Sequence, residues 1–140
     1  MIIRNCAGGV VFFEDKVLIL KNDKGEWIFP KGVIRNGDSP DGVAVNRVKV
    51  EAGVDGDIIS SSGRTNYEFY SVTRQRPVCN KISWYVMKAD SDECAPNKAQ
   101  NFIDAGYFPV EKALDIITYS QDRSLLMLSF QKYREIIQNK

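Results

Sequence analysis

Histidine is absent from the 140-residue chain. Its absence excludes Ser-His-Asp catalysis, metal sites built on imidazole and phosphohistidine chemistry. Carboxylates, lysines and arginines are the side chains left for any reaction or binding site. An excess of one charge is also missing, since 19 lysines and arginines stand against 18 aspartates and glutamates. We therefore expect no nucleic acid and no membrane as partners, and any anion site must be local.

Cysteines are few, and hydrophobic runs of membrane length are lacking. The three cysteines, Cys6, Cys79 and Cys94, form no CxxC pair and cannot all pair with one another. This pattern is typical of reduced thiols and predicts a cytoplasmic protein. No segment approaches the length of a membrane span, and the first residues lack a basic leader and a cleavage site. With 44% hydrophobic residues and no linker, we expect a single domain over residues 1–140.

Six segments rich in branched and aromatic residues predict β-strands. They are residues 3–13, 17–20, 27–29, 58–59, 67–72 and 82–87. The serines and glycine at residues 60–63 predict a loop between the fourth and fifth of these strands. Residues 90–100 are polar and predict a mobile loop.

Helix signals follow the first group of strands and end the chain. Ser39 is a good N-cap before Pro40, and Gly53 follows about three turns later, so this segment predicts a capped helix. A short helix is expected to start at Pro109 and to run through Ile117, and Ser120 is expected to cap a last helix. The order of strands, helix, strands and helices indicates an α+β protein with a mixed sheet between helices.

Residues 32–54 read GVIRNGDSPDGVAVNRVKVEAGV, and this stretch resembles the Nudix box. It has the 23-residue length of the box, with a conservative Asp38 at the first glutamate position. The positions that match by identity or type are Gly32, Val48, Glu51, Gly53 and Val54. Further Nudix-like segments are AGGVVFF, VLILKN, FPKG and GYFPVEKALDIITYSQDRSLL. The FPKG and the last segment are similar to the branch acting on dinucleoside polyphosphates and diphosphoinositol phosphates. The resemblance implies the Nudix fold and a Mg²⁺-dependent pyrophosphohydrolase.

The box departs from the family pattern where the metal carboxylates stand. In the family, three glutamates at i, i+3 and i+4 of one helix hold divalent ions, and helix geometry puts them on one face. Here these positions are Arg47, Val50 and Glu51, and the family arginine is replaced by Asn46. The formal charge of that face is zero instead of −3, so we expect Mg²⁺ binding to be weak or absent. Glu51 is the remaining candidate catalytic carboxylate and metal ligand, and the resemblance adds the Gly32 carbonyl.

Three basic residues are candidate phosphate contacts. Lys31, in FPKG, resembles the family residue beside the polyphosphate. Arg47 either holds a phosphate with its planar guanidinium or forms an i,i+4 ion pair with Glu51 on a solvated helix face. Arg64 adds positive charge on a predicted strand, although a solvated arginine is the ordinary interpretation there.

Aromatic residues and one acidic residue are further candidates. Five aromatic residues on the later strands favour core packing, and one of them, Tyr70 or Tyr85, is a candidate for stacking on a base. Asp104 lies near the position of a loop carboxylate that acts as a base in some Nudix enzymes. A loop-capping role is the simpler interpretation of Asp104.

Three functions are compatible with these residues. The first is a Nudix-fold protein that binds a nucleoside polyphosphate or dinucleoside polyphosphate, with weak or absent Mg²⁺-dependent hydrolysis. The second is an active pyrophosphohydrolase on a nucleoside diphosphate linked to another group, in which Glu51, Asp38 and a loop carboxylate form a rearranged metal site. The third is a protein-interaction module. The ligand's identity and the oligomeric state stay open.

Overall fold

A computed structural model describes residues 1–138 as a mixed β-sheet with helices on both of its faces, which confirms the α+β class. The elements, in chain order, are β1 (Ile2–Phe13), β2 (Lys16–Asn22), β3 (Trp27–Ile28), β4 (Lys31–Val33), α1 (Pro40–Ala52), β5 (Asp57–Ser71), β6 (Arg76–Lys88), β7 (Phe102–Pro109), α2 (Val110–Ile116) and α3 (Ser120–Gln138). Within the same residues, no helix has the length and apolarity needed to cross a membrane.

The sheet is organised around β1. The strand order is β3-β2-β1-β6-β5, with β4 paired to β1 and β7 paired to β2. β1 runs parallel to β6 and antiparallel to β2 and β4. The middle of β1 is buried over residues 6–12 because both faces of the sheet are covered there.

Two hydrophobic clusters lie on the two faces of the sheet. Alternate residues of a strand point to opposite faces. Accordingly Val10 and Phe12 of β1 join a cluster with α2 and α3, whereas Ala7 and Val11 join a cluster with α1. The box helix α1 and the C-terminal helix α3 are therefore separated by the sheet.

The predicted helix in the box is confirmed with its caps. The Ser39 hydroxyl accepts a hydrogen bond from the Gly42 N–H at 3.2 Å, and Pro40 is the first helical residue. Gly53 ends the helix in the left-handed region at φ 68°, and its N–H donates to the Lys49 carbonyl at 2.9 Å. These caps place Glu51 in the last turn of α1, on its buried side.

The predicted loop at residues 60–63 was wrong. β5 continues through it as one strand from Asp57 to Ser71, antiparallel to β6, with irregularities between Ile58 and Ser60 and between Ser61 and Arg64. Bulges absorb the extra residues without ending the pairing, because the partner strand supplies hydrogen bonds on both sides of them.

The polar segment that follows β6 lies against the C-terminal end of α1. The Ala95 N–H donates to the Ala52 carbonyl and the Asn97 N–H to the Glu51 carbonyl, both at 3.0 Å. The Asn97 side-chain amide also donates to the Val50 carbonyl at 2.7 Å. These bonds use carbonyls that a helix end otherwise leaves without partners, and they bring Gln100 near α1.

Candidate functional site

Arg47 and Glu51 of α1 form a close ion pair. Arg47 Nε donates to Glu51 Oε2 at 2.9 Å, and Arg47 Nη2 lies 2.8 Å from the same oxygen. Nη2 also donates to Gln100 Oε1 at 2.9 Å. The Glu51 side chain is only 4% exposed and that of Arg47 25%. The predicted i,i+4 pair is therefore present, but its carboxylate is buried and does not lie on a solvated face.

The surroundings of Glu51 shift its pKa in opposite directions. Burial raises the pKa of Glu51, whereas the hydrogen bond and charge of Arg47 lower it. The charge of Lys31 and a hydrogen bond from its backbone N–H also lower the pKa. The carboxylate thus depends on Arg47 and on the Lys31 segment for its neutralisation inside the protein.

Gly32 of β4 lies directly beneath the Arg47 side chain. A Cβ built on Gly32 would lie 2.6 Å from both Cγ and Cδ of Arg47 and 2.9 Å from its Nε. The arginine stem therefore needs the space that a glycine leaves. Because Gly32 and Glu51 are the two candidate metal ligands of the box, the guanidinium lies where the resemblance would place a cation.

The side chains around Glu51 do not fit a Mg²⁺ site. Val50 offers no donor, and Asp38 is exposed, where its carboxylate accepts the Arg35 N–H at 3.2 Å. Asp104 lies on β7, opposite Lys21 of β2, and is also exposed. In the part of the chain described, no three acidic, cysteine or histidine side chains come close enough to hold a metal ion. Mg²⁺ favours oxygen ligands and negative charge, and the nearest charged group to Glu51 is a cation.

A cavity of about 250 Å³ opens on the other face of the sheet, beside Lys31. Aromatic side chains form much of its wall, namely Phe29, Tyr67, Phe69 and Trp84. Polar side chains also line it, and they include Arg4, Glu26, Asn80, Tyr119, Gln121 and Asp122. Clefts with apolar walls and a few convergent polar groups are the usual form of a small-molecule site.

Hydrogen bonds position the walls of this cavity. Trp84 Nε1 donates to the Thr65 hydroxyl at 2.8 Å, across the β5–β6 pair. Arg4 Nε donates to Asn80 Oδ1 at 2.8 Å, and its guanidinium lies 5.7 Å from the centroid of the Phe69 ring. The Tyr119 hydroxyl donates to Glu26, which joins the segment before α3 to the β2–β3 turn.

The aromatic residues expected to stack on a base are not those that line the cavity. Tyr70 is 62% exposed near the end of β5, and Tyr85 packs with the cluster around α1. Tyr67, Phe69 and Trp84 line the cavity instead. Which aromatic residues share a face depends on the β5–β6 register, and the bulges in β5 decide that register.

Asp122 is a candidate that the sequence analysis missed. It lies in the first turn of α3, is 8% exposed and lines the cavity. Burial raises the pKa of its carboxyl to about 6, against the opposing charges of Lys31 and Arg123. An acidic residue in the first turn of a helix is ordinarily explained by the helix dipole. Only the packing of α3 against the sheet shows that this one is buried.

Asp122 should make the stability of the protein depend on pH. The carboxyl of Asp122 holds its proton more tightly in the folded protein than in the unfolded chain. Protonation of Asp122 therefore stabilises the fold at low pH, and this stabilisation is lost as pH rises through about 6. We expect unfolding free energy to fall by about 1 kcal/mol more in the wild type than in Asp122→Asn between pH 5 and pH 8. Urea unfolding at both pH values measures this, with exposed Asp115→Asn as control. If the unfolding free energy of the wild type changes with pH as that of Asp122→Asn does, this prediction is wrong.

The predicted phosphate contacts do not all lie together. Lys31 lines the cavity, and its positive charge is among the influences that lower the pKa values of Glu26, Glu51 and Asp122. Arg64 lies on the opposite face of the sheet, in a separate groove with Asp38 and Lys81. Over residues 1–138 the ion pairs are Arg47–Glu51 and Lys49–Asp55, so Lys31 has no carboxylate partner there. Lys31 thus lies in β4 and Arg47 packs on Gly32 of the same strand, whereas Arg64 is apart from them.

Comparisons with known proteins agree on one family. The sequence model of the NUDIX domain matches residues 1–128. A curated relative, "Putative mutator protein MutT4" of Mycobacterium tuberculosis (strain CDC 1551 / Oshkosh), is 26% identical over 99 residues, which are 71% of this chain. The chain spans only 39% of the length of that relative.

Solved structures show the same fold at low sequence identity. The E. coli dihydroneopterin triphosphate pyrophosphohydrolase aligns with a TM-score of 0.72 and 16% identity, over 90% of this chain and 95% of that one. A C. elegans Ap4A hydrolase in a binary complex gives 0.68 and 18%, over 94% and 98%. The NUDIX domain of Shewanella oneidensis NrtR, solved with ADP-ribose, gives 0.75 and 15%, over 95% and 90%.

Proposed function

The chain belongs to the NUDIX family, and we propose that it binds a nucleoside polyphosphate or dinucleoside polyphosphate, with Mg²⁺-dependent hydrolysis that is weak or absent. The proposal rests on the position of Arg47. Its side chain packs on Gly32, and its guanidinium is paired with the buried Glu51. A protein cation thus stands next to the only remaining carboxylate of the box triplet. Nudix hydrolases generally use a divalent metal at this place.

Electrostatics argue against a metal ion beside Arg47. A dication about 4 Å from a guanidinium would be disfavoured by several kcal/mol even at an effective dielectric constant of about 20. Glu51 could not offset that repulsion, because its single negative charge is already paired with the guanidinium of Arg47. A phosphate, in contrast, is attracted by the same guanidinium.

Arg47 has room for a phosphate on one side. Its Nε and Nη2 are engaged by Glu51 and Gln100, and its side chain also lines an open groove together with Arg35, Ser39 and Asn46. A phosphate would therefore contact the guanidinium from this groove and would not replace Glu51 at the Nε–Nη2 edge. Lys31 supplies a second positive charge at the neighbouring position of β4.

The aromatic cavity suits the base or another ring of such a ligand. It lies beside Lys31, so a ring within it would leave the phosphates near the lysine. Nudix proteins of the same fold have been solved as an Ap4A hydrolase complex and with ADP-ribose. Binding can persist without turnover, because a guanidinium neutralises phosphate charge but does not lower the pKa of an attacking water as a metal does.

Calorimetric titration with ATP and diadenosine tetraphosphate, with and without Mg²⁺, tests the proposal. We expect saturable binding that does not require Mg²⁺ and hydrolysis that is slow or undetectable in the same solutions. Turnover at ordinary enzyme rates, on the order of 10 s⁻¹, would contradict the proposal. Absence of binding to either compound would favour a protein-interaction role.

Lys31→Ala should weaken nucleotide binding more than Lys49→Ala. A charged hydrogen bond contributes about 1.5–3 kcal/mol, so we expect a roughly tenfold or larger rise in Kd for Lys31→Ala. Lys49 is a matched control because it lies on α1, is 55% exposed and pairs with Asp55 away from Gly32. The same titrations measure both variants. Equal losses of affinity would place the phosphate site elsewhere.

A further inference from the structure

We propose that two copies of this chain associate through the outer edge of β5 over residues 64–71, called the open edge. The two β5 strands run antiparallel about a two-fold axis at Asn66, so that the two sheets become one continuous sheet. Arg64 of each copy then lies opposite Glu68 of the other. The inference goes beyond the proposed nucleotide binding and does not depend on it.

β5 is the last strand of the sheet, and the second half of its outer edge has no partner in the chain. Its pairing within residues 1–138 is with β6 alone. Near the start of β5, α3 covers the edge: Lys132 Nζ donates to the Ser61 carbonyl at 3.1 Å, and the Ser62 and Ser129 hydroxyls are 2.7 Å apart. No other described segment hydrogen-bonds to the backbone of residues 64–71. Such an edge presents unpaired N–H and C=O groups to which another strand can bind.

Grooves lie on both sides of the open edge. On the α1 side, Arg64 and Asn66 border the groove that also contains Lys81. On the α3 side, the same two residues border a second groove, whose other wall includes Ser124 and Leu128 of α3. The side chains of an added strand point alternately to the two faces of the sheet, so each groove can receive one set of them.

The side chains of the open edge do not prevent a strand from pairing with it. Residues 64–71 read RTNYEFYS and contain neither proline nor lysine, two residues that proteins commonly use to block an edge. The bulges of β5 lie before Arg64, and residues 64–71 pair with β6 in unbroken register. Tyr70 is 62% exposed, and tyrosine is enriched in protein interfaces. The segment is therefore a regular strand that a second strand can extend.

The two charged residues of the open edge complement a second copy of the same strand. Arg64 and Glu68 are exposed and lie on one face of β5, about 13 Å apart along the strand, which is too far for them to pair with each other. Neither belongs to an ion pair of the described residues. A pair of strands centred on Asn66 matches both charges twice, because a two-fold axis repeats each contact.

The register about Asn66 is the one that pairs these charges. An antiparallel pair centred on Tyr67 instead would set Arg64 opposite Tyr70 and Glu68 opposite Asn66. On the other face, the Asn66 register places Thr65 opposite Tyr67 of the second copy, and pairs of a β-branched with an aromatic residue stabilise antiparallel strands. This self-complementarity identifies the occupant of the edge as a second copy of the chain.

Analytical ultracentrifugation over a dilution series tests the proposal. We expect the wild type to form a dimer with a Kd of about 10 μM or tighter. Arg64→Glu and Glu68→Arg each set like charges opposite one another at two symmetric places, so each should raise the dimer Kd at least about tenfold. Arg74→Glu is the matched control, since it makes the same charge change in the exposed β5–β6 turn and should leave the Kd unchanged.

A mixture of the two single variants gives a test that misfolding cannot imitate. Arg64→Glu carries two acidic residues on this face of β5 and Glu68→Arg two basic ones, so an equimolar mixture should form a dimer at least about tenfold more tightly than either variant alone. Hydrogen–deuterium exchange of the wild type should show protection of residues 64–71 that rises with the dimer fraction.

Three results would overturn the proposal. The first is a wild type that stays monomeric up to about 100 μM. The second is a dimer whose Kd neither charge reversal changes, because its interface would then lie elsewhere. The third is a mixture of the two variants that associates no more tightly than each variant does by itself.

Discussion

Restoration of the three divergent box positions together, Asn46→Arg, Arg47→Glu and Val50→Glu, is expected to create a Mg²⁺ site and measurable pyrophosphohydrolase activity. The change brings the formal charge of the face of α1 that carries positions 47, 50 and 51 from zero to −3. It also removes the arginine stem that lies 2.6 Å from the Cβ position of Gly32. The helix frame is already present, since α1 keeps both of its caps.

Single substitutions should do much less than the triple change. Val50→Glu alone leaves Arg47 on Glu51, and Arg47→Glu alone leaves no carboxylate at position 50. Groups that act as one unit are not additive in their effects. We expect the triple variant to hydrolyse nucleotides at least about tenfold faster with Mg²⁺ than the wild type, which corresponds to about 1.4 kcal/mol of transition-state stabilisation.

Mg²⁺ titration in the presence of nucleotide and assays of phosphate release measure the two parts of this prediction. The stability of the variant must be checked, because Val50 is half-buried and a glutamate there would need the metal to offset its desolvation. A folded triple variant that binds no Mg²⁺ would show that the box is not what limits catalysis. The binder proposal would then lose its main support.

Arg47→Ala is expected to lower the free energy of unfolding by about 3 kcal/mol at pH 7. Removing one partner of a buried ion pair leaves the other charge without compensation, which typically costs 3–5 kcal/mol, and the partial exposure of Arg47 places it near the lower limit. Glu51 is the charge that would be left, at 4% side-chain exposure. The guanidinium bond to Gln100, which links α1 to the segment before β7, would be lost as well.

The same helix provides the control for this measurement. Lys49 and Asp55 form an ion pair whose side chains are 55% and 86% exposed, so Lys49→Ala should change stability by less than about 0.5 kcal/mol. Urea unfolding of both variants compares a buried pair with an exposed pair in one protein. The Glu51→Gln change added to Arg47→Ala should recover part of the loss. If Arg47→Ala is no more destabilising than Lys49→Ala, the guanidinium is not what stabilises Glu51.

The local sequence determined the box helix and its i,i+4 pair. Ser39, Pro40 and Gly53 act within one turn of the residues they cap, and the spacing of Arg47 and Glu51 follows from the helix period. The order of elements and the family resemblance likewise determined the α+β class. Each depends on residues that are near one another in the chain.

Only the tertiary structure decided how deeply Glu51 is buried and which residues form the cavity. The burial of Glu51 depends on β4 and the segment before β7 packing on α1, and neither was predicted as part of that contact. The cavity depends on the parallel pairing of β1 with β6, on the bulges of β5 and on the docking of α3. These contacts join residues far apart in the chain, where no local periodicity indicates register or depth. Asp122 was missed for that reason, since its neighbours in sequence describe an ordinary helix start and its neighbours in space form a pocket.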